Sequence, residues 1–134
     1  FGAPFMPLHP IRYASMLAEK ISKYNTNVYL INTGWTGGPY GIGKRMDLKY
    51  TRAMVSASIN GDLERIKYKH DNIFNLEIPF SCPQVPSEIL DPSYSWSNRE
   101  QYVIAAKRLA HLFRENFKRF GKESEYLTKF GPQI

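Results

Sequence analysis

"GGPYGIGKRM", Gly37 to Met46, is the stretch on which the reading of the chain turns. Gly38, four intervening residues, Gly43 and Lys44 fit the first seven positions of G-x-x-x-x-G-K-[ST], the phosphate-binding loop. The eighth position calls for a Ser or Thr hydroxyl on the metal, and Arg45 stands there. A guanidinium is a permanent cation with a planar donor fork and cannot ligate Mg²⁺. Pro39 removes one backbone N–H from the middle of the cradle. Both residues count against a working phosphate loop. Two other readings stay open: a plain glycine-rich turn, or a contact in which Lys44 and Arg45 meet a ligand just ahead of a helix N-terminus. In the last, Arg45 hydrogen-bonds a ribose or stacks on a base. Arg45 and Arg52 then point to a similar side, provided the helix starts early enough.

Working outward, Asp47 is placed to cap a helix with Leu48, Thr51, Val55 and Ile59 on one face and Gly61 as its stop. Upstream, "NVYLIN", Asn27 to Asn32, is short, β-branched and aromatic, and predicts a buried strand. Before it, Ile11, Ala14, Leu17, Ala18 and Ile21 recur at helical spacing behind Pro10, a good first helical residue, so the pattern predicts an amphipathic helix over Pro10 to Tyr24. Phe1 to His9 is expected to be a buried, extended entry. Helix, strand, Gly-rich loop, helix is the local grammar of a nucleotide-binding α/β domain.

Downstream, "RIKYKH" and "NIFNLEIP" are candidate short strands. Pro79, Pro83, Pro86 and Pro92 then impose an irregular wrap. Ser97 is a candidate cap for a long helix to about Phe120, with Tyr102, Ala105, Ala106, Leu109, Leu112, Phe113 and Phe117 as its apolar face and Gly121 as its stop. Glu123 to Phe130 is a further candidate helix. The expected fold class is α/β: the C-terminal part of a mononucleotide-binding α/β domain with flanking helices and few strands. It divides into 1–61, 62–96 and 97–134. One strand cannot make a parallel sheet, so part of the apolar surface is expected to face something else, and the chain is read as a piece of a larger domain. It opens on Phe1 and not Met, which reads as a processed, cut or incompletely recorded start.

Hydrophobic residues make up 43% of the 134, enough to bury a core. No apolar run approaches the roughly 20 residues of a membrane span. No charged region followed by an apolar one marks a signal peptide. Cys82 is the only cysteine, which excludes an intrachain disulfide and makes a reducing, cytoplasmic compartment the default. The formal charge of +6 suits an anionic partner. The Lys and Arg residues are spread along the chain, which argues against a nucleic-acid tail. A basic, non-catalytic module for nucleic acid or another polyanion stays open as the alternative to an enzyme.

No complete catalytic constellation is visible. His9, His70 and His111 lack metal-ligand spacing; His9 reads as a cap or packing residue and His111 as structural, near the apolar face of the long helix. Cys82, before Pro83, reads as a buried bystander. Asp62 with Glu64, and Glu115 with Glu123, form no acid/base pair. Trp35 is equally a ligand-stacking residue or a core anchor.

"NTGWTGGPYGIGKRMDLKYTRAM", Asn32 to Met54, resembles the stretch near the C-terminus of the ATP-dependent phosphoenolpyruvate carboxykinase family. "FGAPFMPLHPIRYASMLAEKI", "VPSEILDPSYSW", "LAHLFRENFKRF" and the closing "FGPQI" resemble family segments in the same order, so the resemblance covers essentially the whole chain. It implies conversion of oxaloacetate and ATP to phosphoenolpyruvate, ADP and CO₂ with Mg²⁺ and Mn²⁺, a gluconeogenic reaction. The family's phosphate loop, metal ligands and oxaloacetate-binding residues precede this segment, so it implies no catalytic and no metal-binding residue here, and an isolated chain without activity. It does imply an adenosine contact at Arg45, Met46 and Thr51. Met46 stands where relatives often carry Ile, an apolar swap suited to a wall against adenine, and the loop before Gly43 is longer than in some bacterial relatives by "PYGI".

Overall fold

The computed structural model describes residues 3–134. Helix α1 spans Pro10–Tyr24. His9 caps it, its Nδ1 accepting from the Ile11 amide at 3.4 Å. Asn25, at φ 49°, ends it in the left-handed conformation, and the Thr26 amide closes back on Ile21 O. The periodicity thus places α1 correctly, but its apolar face is not covered: Met16 and Leu17 are exposed and no α1 residue is fully buried. Nor is the entry segment buried. Ala3–Phe5 is a 3-10 turn, and Phe5, Met6 and Leu8 are exposed; the part of that expectation falling on Phe1 and Gly2 lies outside the described residues.

The expected strand at Asn27–Asn32 does not form. The segment pairs with no other strand among the described residues. Its side chains nevertheless alternate as a strand's do: Tyr29, against the core, and Ile31 are half-buried, while Val28 and Leu30 are exposed, Leu30 at 80%. A strand apolar on both faces belongs inside a sheet covered on both sides. With no neighbour to receive its N–H and C=O groups, it stays extended and unladdered.

Strands β1 (Trp35–Thr36) and β2 (Lys44–Arg45) form an antiparallel hairpin across the Gly-rich loop, and α2 follows at Leu48–Ile59. Asp47 caps α2 as expected, its Oδ1 accepting from the Lys49 amide at 3.1 Å. Gly61, at φ 77°, ends it, with the Asp62 amide bonded to Ala57 O at 3.0 Å. The buried face of α2 differs from the predicted one. Leu48, Val55 and Ile59 are exposed, whereas Tyr50, Ala53, Met54 and Ala57 pack inward. Small Ala53 and Ala57 let the helix approach Leu63, Cys82 and Val85 closely, so the larger side chains turn outward.

Strands β3 (Tyr68–Asp71) and β4 (Leu76–Pro79) form a second antiparallel hairpin, as the two candidate segments predict. The Asp71 carboxylate holds its turn by accepting from the Ile73 and Phe74 amides, and Asn75 takes φ 59°. The Pro-rich wrap contains two single-turn helices, α3 (Ser87–Leu90) and α4 (Pro92–Ser95). Helix α5 spans Arg99–Phe117 and is capped by Asn98 through the Gln101 amide at 3.0 Å, one residue beyond the predicted Ser97. It tightens into a 3-10 turn to Phe120, and Lys122–Phe130 is also 3-10. Leu109, Leu112 and Phe113 of its predicted apolar face are exposed, and the fully buried position is Ala110, at 0%.

The core is small: Ala57, Leu63, Cys82 and Val85, with Tyr29, Tyr50, Met54, Ile66 and Ile89 against it. Burial pushes the Cys82 thiol above its ordinary value, with Asp62 adding to the shift. The residue is buried, as its setting suggested. Native Cys82 should therefore resist iodoacetamide at pH 7 and react once the protein is unfolded in guanidinium, followed by mass spectrometry; rapid native labelling would place the thiol outside the core.

Candidate nucleotide-contact site

The Gly-rich loop, residues 37–43, is the tip of the β1–β2 hairpin. Register pairs Trp35 with Arg45 and Thr36 with Lys44. Asn32 prepares the entry, its Oδ1 accepting from the Gly34 amide and its Nδ2 donating to Trp35 O, both at 3.0 Å. The Met46 amide donates to Gly34 O at 2.7 Å and closes the base. Inside the loop, the Ile42 and Gly43 amides donate to Pro39 O at 3.0 and 2.9 Å. Amides that a phosphate cradle would present to its ligand are thus turned onto the loop's own carbonyl. Lys44 sits on a strand and not at the mouth of a helix. The loop geometry thus agrees with the sequence in counting against a phosphate cradle, and it is a structured turn carrying side chains.

The loop is closed around Trp35. A Cβ on Gly43 would lie 2.4 Å from Gly38 O, 2.6 Å from Trp35 Nε1 and 2.7 Å from Thr36 O. The indole Nε1 donates to Pro39 O at 3.4 Å, and the ring stacks on Tyr40 with centroids 6.0 Å apart. The hairpin is tied to the rest of the fold through Thr36, whose Oγ1 lies 3.3 Å from Ser95 Oγ of α4. Helix α4 is in turn capped by Asp91, which accepts from the Ser93 amide at 2.8 Å and from Lys69 Nζ of β3. Lys69 also sits over the Tyr94 ring at 5.0 Å. A relay of contacts therefore runs from β3 through Asp91 and α4 to the hairpin that carries Arg45.

Arg45 is exposed on β2 and makes no ion pair among the described residues. Met46 is buried at 8% where β2 leaves for α2, and Thr51 is half-buried one turn into α2. The three thus fall, in order along the chain, at the end of β2, the link and the first turn of α2. Met46 turns its apolar side chain to the interior rather than to open solvent. Because α2 begins only at Leu48, Arg45 and Arg52 do not share a helix, and the condition for their facing one way is not met. Arg52 instead lines a separate shallow cleft with Lys49, Asn60 and Gln84. Asp47 lies between Arg45 and the helix. The Lys49 backbone amide, then the Lys49 ammonium, hold its carboxyl below the usual range.

Elsewhere, His111 is exposed on α5 rather than packed. His70 pairs across β3–β4 with Glu77 at 2.9 Å. Among the described residues no three His, Cys, Asp or Glu side chains converge to hold a metal ion. No described helix is long and apolar enough to cross a membrane. Trp35 and Tyr40 were legible only as an undecided pair of roles and an insertion; the cross-strand register with Arg45 needed the structure.

The chain is thus a small α/β fragment with a structured Gly-rich hairpin and an exposed arginine ahead of a capped helix. The sequence profile described as phosphoenolpyruvate carboxykinase matches residues 1–88. Phosphoenolpyruvate carboxykinase (ATP) of Fusobacterium nucleatum is 58% identical over 134 residues, 99% of this chain and 26% of that protein. The proteins of that name from Caldanaerobacter subterraneus and Alkaliphilus oremlandii are 57% and 55% identical, over 99% and 100% of this chain and 26% of each relative. The chain belongs to the phosphoenolpyruvate carboxykinase family, a family of enzymes, and spans about a quarter of the length of these relatives.

Proposed function

We propose that the chain works as part of a longer ATP-dependent phosphoenolpyruvate carboxykinase, supplying part of the wall around the adenosine of ATP. The observation that carries this reading is the placement of Arg45, exposed and in no ion pair among the described residues, just ahead of α2, with Met46 following it and Thr51 in the first turn of the helix. Adenine presents a flat apolar face and polar edges, and its pocket needs apolar walls with a few placed donors and acceptors. The Thr51 hydroxyl donates and accepts at a base edge. The Arg45 fork supplies charge and a planar surface at the ribose or phosphates. Met46 backs the pocket from inside as a soft, polarisable wall.

In the whole enzyme, oxaloacetate loses CO₂ and the resulting enolate oxygen takes the γ-phosphoryl group of ATP, giving phosphoenolpyruvate and ADP. The part played by this segment is to position the nucleotide so that the phosphoryl group lies in line for transfer. Metal chemistry and oxaloacetate binding fall to residues in the remainder of the enzyme, and the isolated segment is inactive. That remainder is also the partner that covers the apolar cleft of about 1240 Å³ lined by Tyr29, Ile31, Leu63, Ile78, Leu90 and Leu109. The setting is the cytoplasm and the pathway direction gluconeogenic.

Arg45→Ala and Thr51→Ala in the full-length enzyme should each raise KM for ATP, Arg45→Ala by about tenfold for a lost charge-assisted contact, with KM for oxaloacetate unchanged. Steady-state kinetics decide it; an unchanged KM for ATP in both variants sinks the assignment.

A further inference from the structure

The β1–β2 hairpin has two residue pairs, Trp35 with Arg45 and Thr36 with Lys44. A two-stranded ribbon this short does not hold itself in place, so the direction in which Arg45 leaves depends on what anchors the hairpin. Its own bonds are local: Gly34 O with the Met46 amide at the base, and Pro39 O with the Ile42 and Gly43 amides and the Trp35 indole in the loop. Among the described residues, one hydrogen bond ties β1, the loop or β2 to an element distant along the chain, and it runs from Thr36 to Ser95 at the end of α4.

That bond has a direction. Each hydroxyl carries one proton. Ser95 Oγ gives its own to Pro92 O at 2.9 Å, and Thr36 Oγ1 lies 3.3 Å from Ser95 Oγ, so Thr36 donates and Ser95 accepts. The backbone closes at the same point. Gly37 is at φ 79°, and a Cβ on it would lie 3.1 Å from Ser95 O, tighter than side chains ordinarily pack. Ser95 thus meets the hairpin twice, through its hydroxyl and through its carbonyl. It is itself held, because Asp91, 6% exposed and bonded to Lys69 of β3, caps α4.

We propose that Ser95 is a positioning residue for the nucleotide: through the relay Thr36 Oγ1 to Ser95 Oγ to Pro92 O it sets the angle of the hairpin, and so the place at which Arg45 meets ATP. This rests on the reading that Arg45 contacts the nucleotide. Ser95 acts through Arg45 and not in the chemical step, so its loss appears in KM for ATP and leaves kcat and KM for oxaloacetate in place.

The test is steady-state kinetics of the full-length enzyme with Ser95→Ala, Thr36→Val, Thr36→Ser and Arg45→Ala, singly and in pairs. Ser95→Ala and Thr36→Val should each raise KM for ATP about threefold, the scale of one neutral hydrogen bond. Combined they should raise it no further, since either alone removes the same bond. Thr36→Ser, which keeps the donor, should behave as the wild type. In the Arg45→Ala background Ser95→Ala should add nothing, because the guanidinium that it places is gone; a merely structural role would add its full cost there. An unchanged KM for ATP in both Ser95→Ala and Thr36→Val overturns the positioning role. So do fold-changes of Ser95→Ala and Arg45→Ala that multiply in the double variant. Arg45→Ala reports separately on the nucleotide reading: a raised KM there with unchanged Ser95→Ala and Thr36→Val leaves that reading standing and removes only this one, whereas a wild-type KM in Arg45→Ala removes both.

Discussion

Gly43→Ala should weaken ATP binding to the full-length enzyme by tenfold or more, about 1.4 kcal/mol or above, while leaving the remainder of the protein folded. The added methyl has nowhere to go. Its contacts at 2.4 and 2.7 Å are with backbone oxygens of Gly38 and Thr36, and the third, at 2.6 Å, is with an indole nitrogen already hydrogen-bonded to Pro39. Overpacking of this kind costs about 1–3 kcal/mol where neighbours can shift. Here the hairpin has only two residue pairs to resist with. The relief is to open it, which moves Arg45 and Trp35 together. Gly41→Ala is the control, because a Cβ there meets nothing within 4 Å and only the positive φ opposes it. It should cost about 1 kcal/mol locally and change KM for ATP far less. Equal KM values for the wild type and Gly43→Ala would mean that hairpin geometry does not set the nucleotide contact.

The second large effect is expected at Asp91, which is 6% exposed and joins β3 to α4. Removing one member of a buried pair leaves the other without compensation and costs about 3–5 kcal/mol in full burial. The Lys69 side chain is 32% exposed and so partly screened, which lowers the expected cost of Asp91→Ala to about 2–3 kcal/mol. Because α4 carries Ser95, which contacts Thr36 of the hairpin, the same variant should also raise KM for ATP modestly.

The pH dependence follows with its sign. Burial works to raise the Asp91 carboxyl, but the Lys69 and Ser93 hydrogen bonds outweigh it and hold the group below the ordinary range. Its stabilisation is therefore full above the unfolded carboxylate pKa of about 3.9 and is lost as pH falls through the lower folded value. In Lys69→Ala the largest of the lowering hydrogen bonds is gone while those from Ser93 remain, so the folded carboxyl moves up and this pH-dependent contribution shrinks. Thermal unfolding between pH 3 and 7 should show a smaller loss of stability on acidification in Lys69→Ala than in the wild type; equal losses would remove the pair as a stabilising contact. Tyr102 sits near the same cluster, pushed up to about 12 by burial and then by Asp71 and Asp91, and stays neutral throughout that range.

Local chemistry made the helices legible. Pro10 with a 3.6-residue repeat gave α1, Asp47 and Gly61 bracketed α2, and the paired segments around Asn72–Asn75 gave the β3–β4 hairpin. Burial was less legible because it depends on what each face meets. The apolar stripe Leu48–Val55–Ile59 looks like a core face, yet α2 packs through Ala53 and Ala57, where small side chains permit close approach. Ala110 was overlooked on α5 for the same reason: size carries no warning of total burial. Asn27–Asn32 has a strand's composition and alternation, but a ladder needs a neighbour, and none stands beside it among the described residues. At the site, Arg45 in place of Ser or Thr was enough to turn the reading from phosphate cradle to side-chain contact. That the loop is a hairpin setting Trp35 opposite Arg45 could not be read from glycine spacing, since the same glycines serve a strand-to-helix loop equally well.

Equilibrium titration of the full-length enzyme with ATP by calorimetry, wild type against Arg45→Ala, bears most directly on the role of this segment. The expected result is a Kd for ATP raised about tenfold, partly restored in Arg45→Lys, which keeps the charge without the planar fork. An ATP Kd equal to the wild type's in Arg45→Ala would contradict an adenosine wall built from Arg45, Met46 and Thr51.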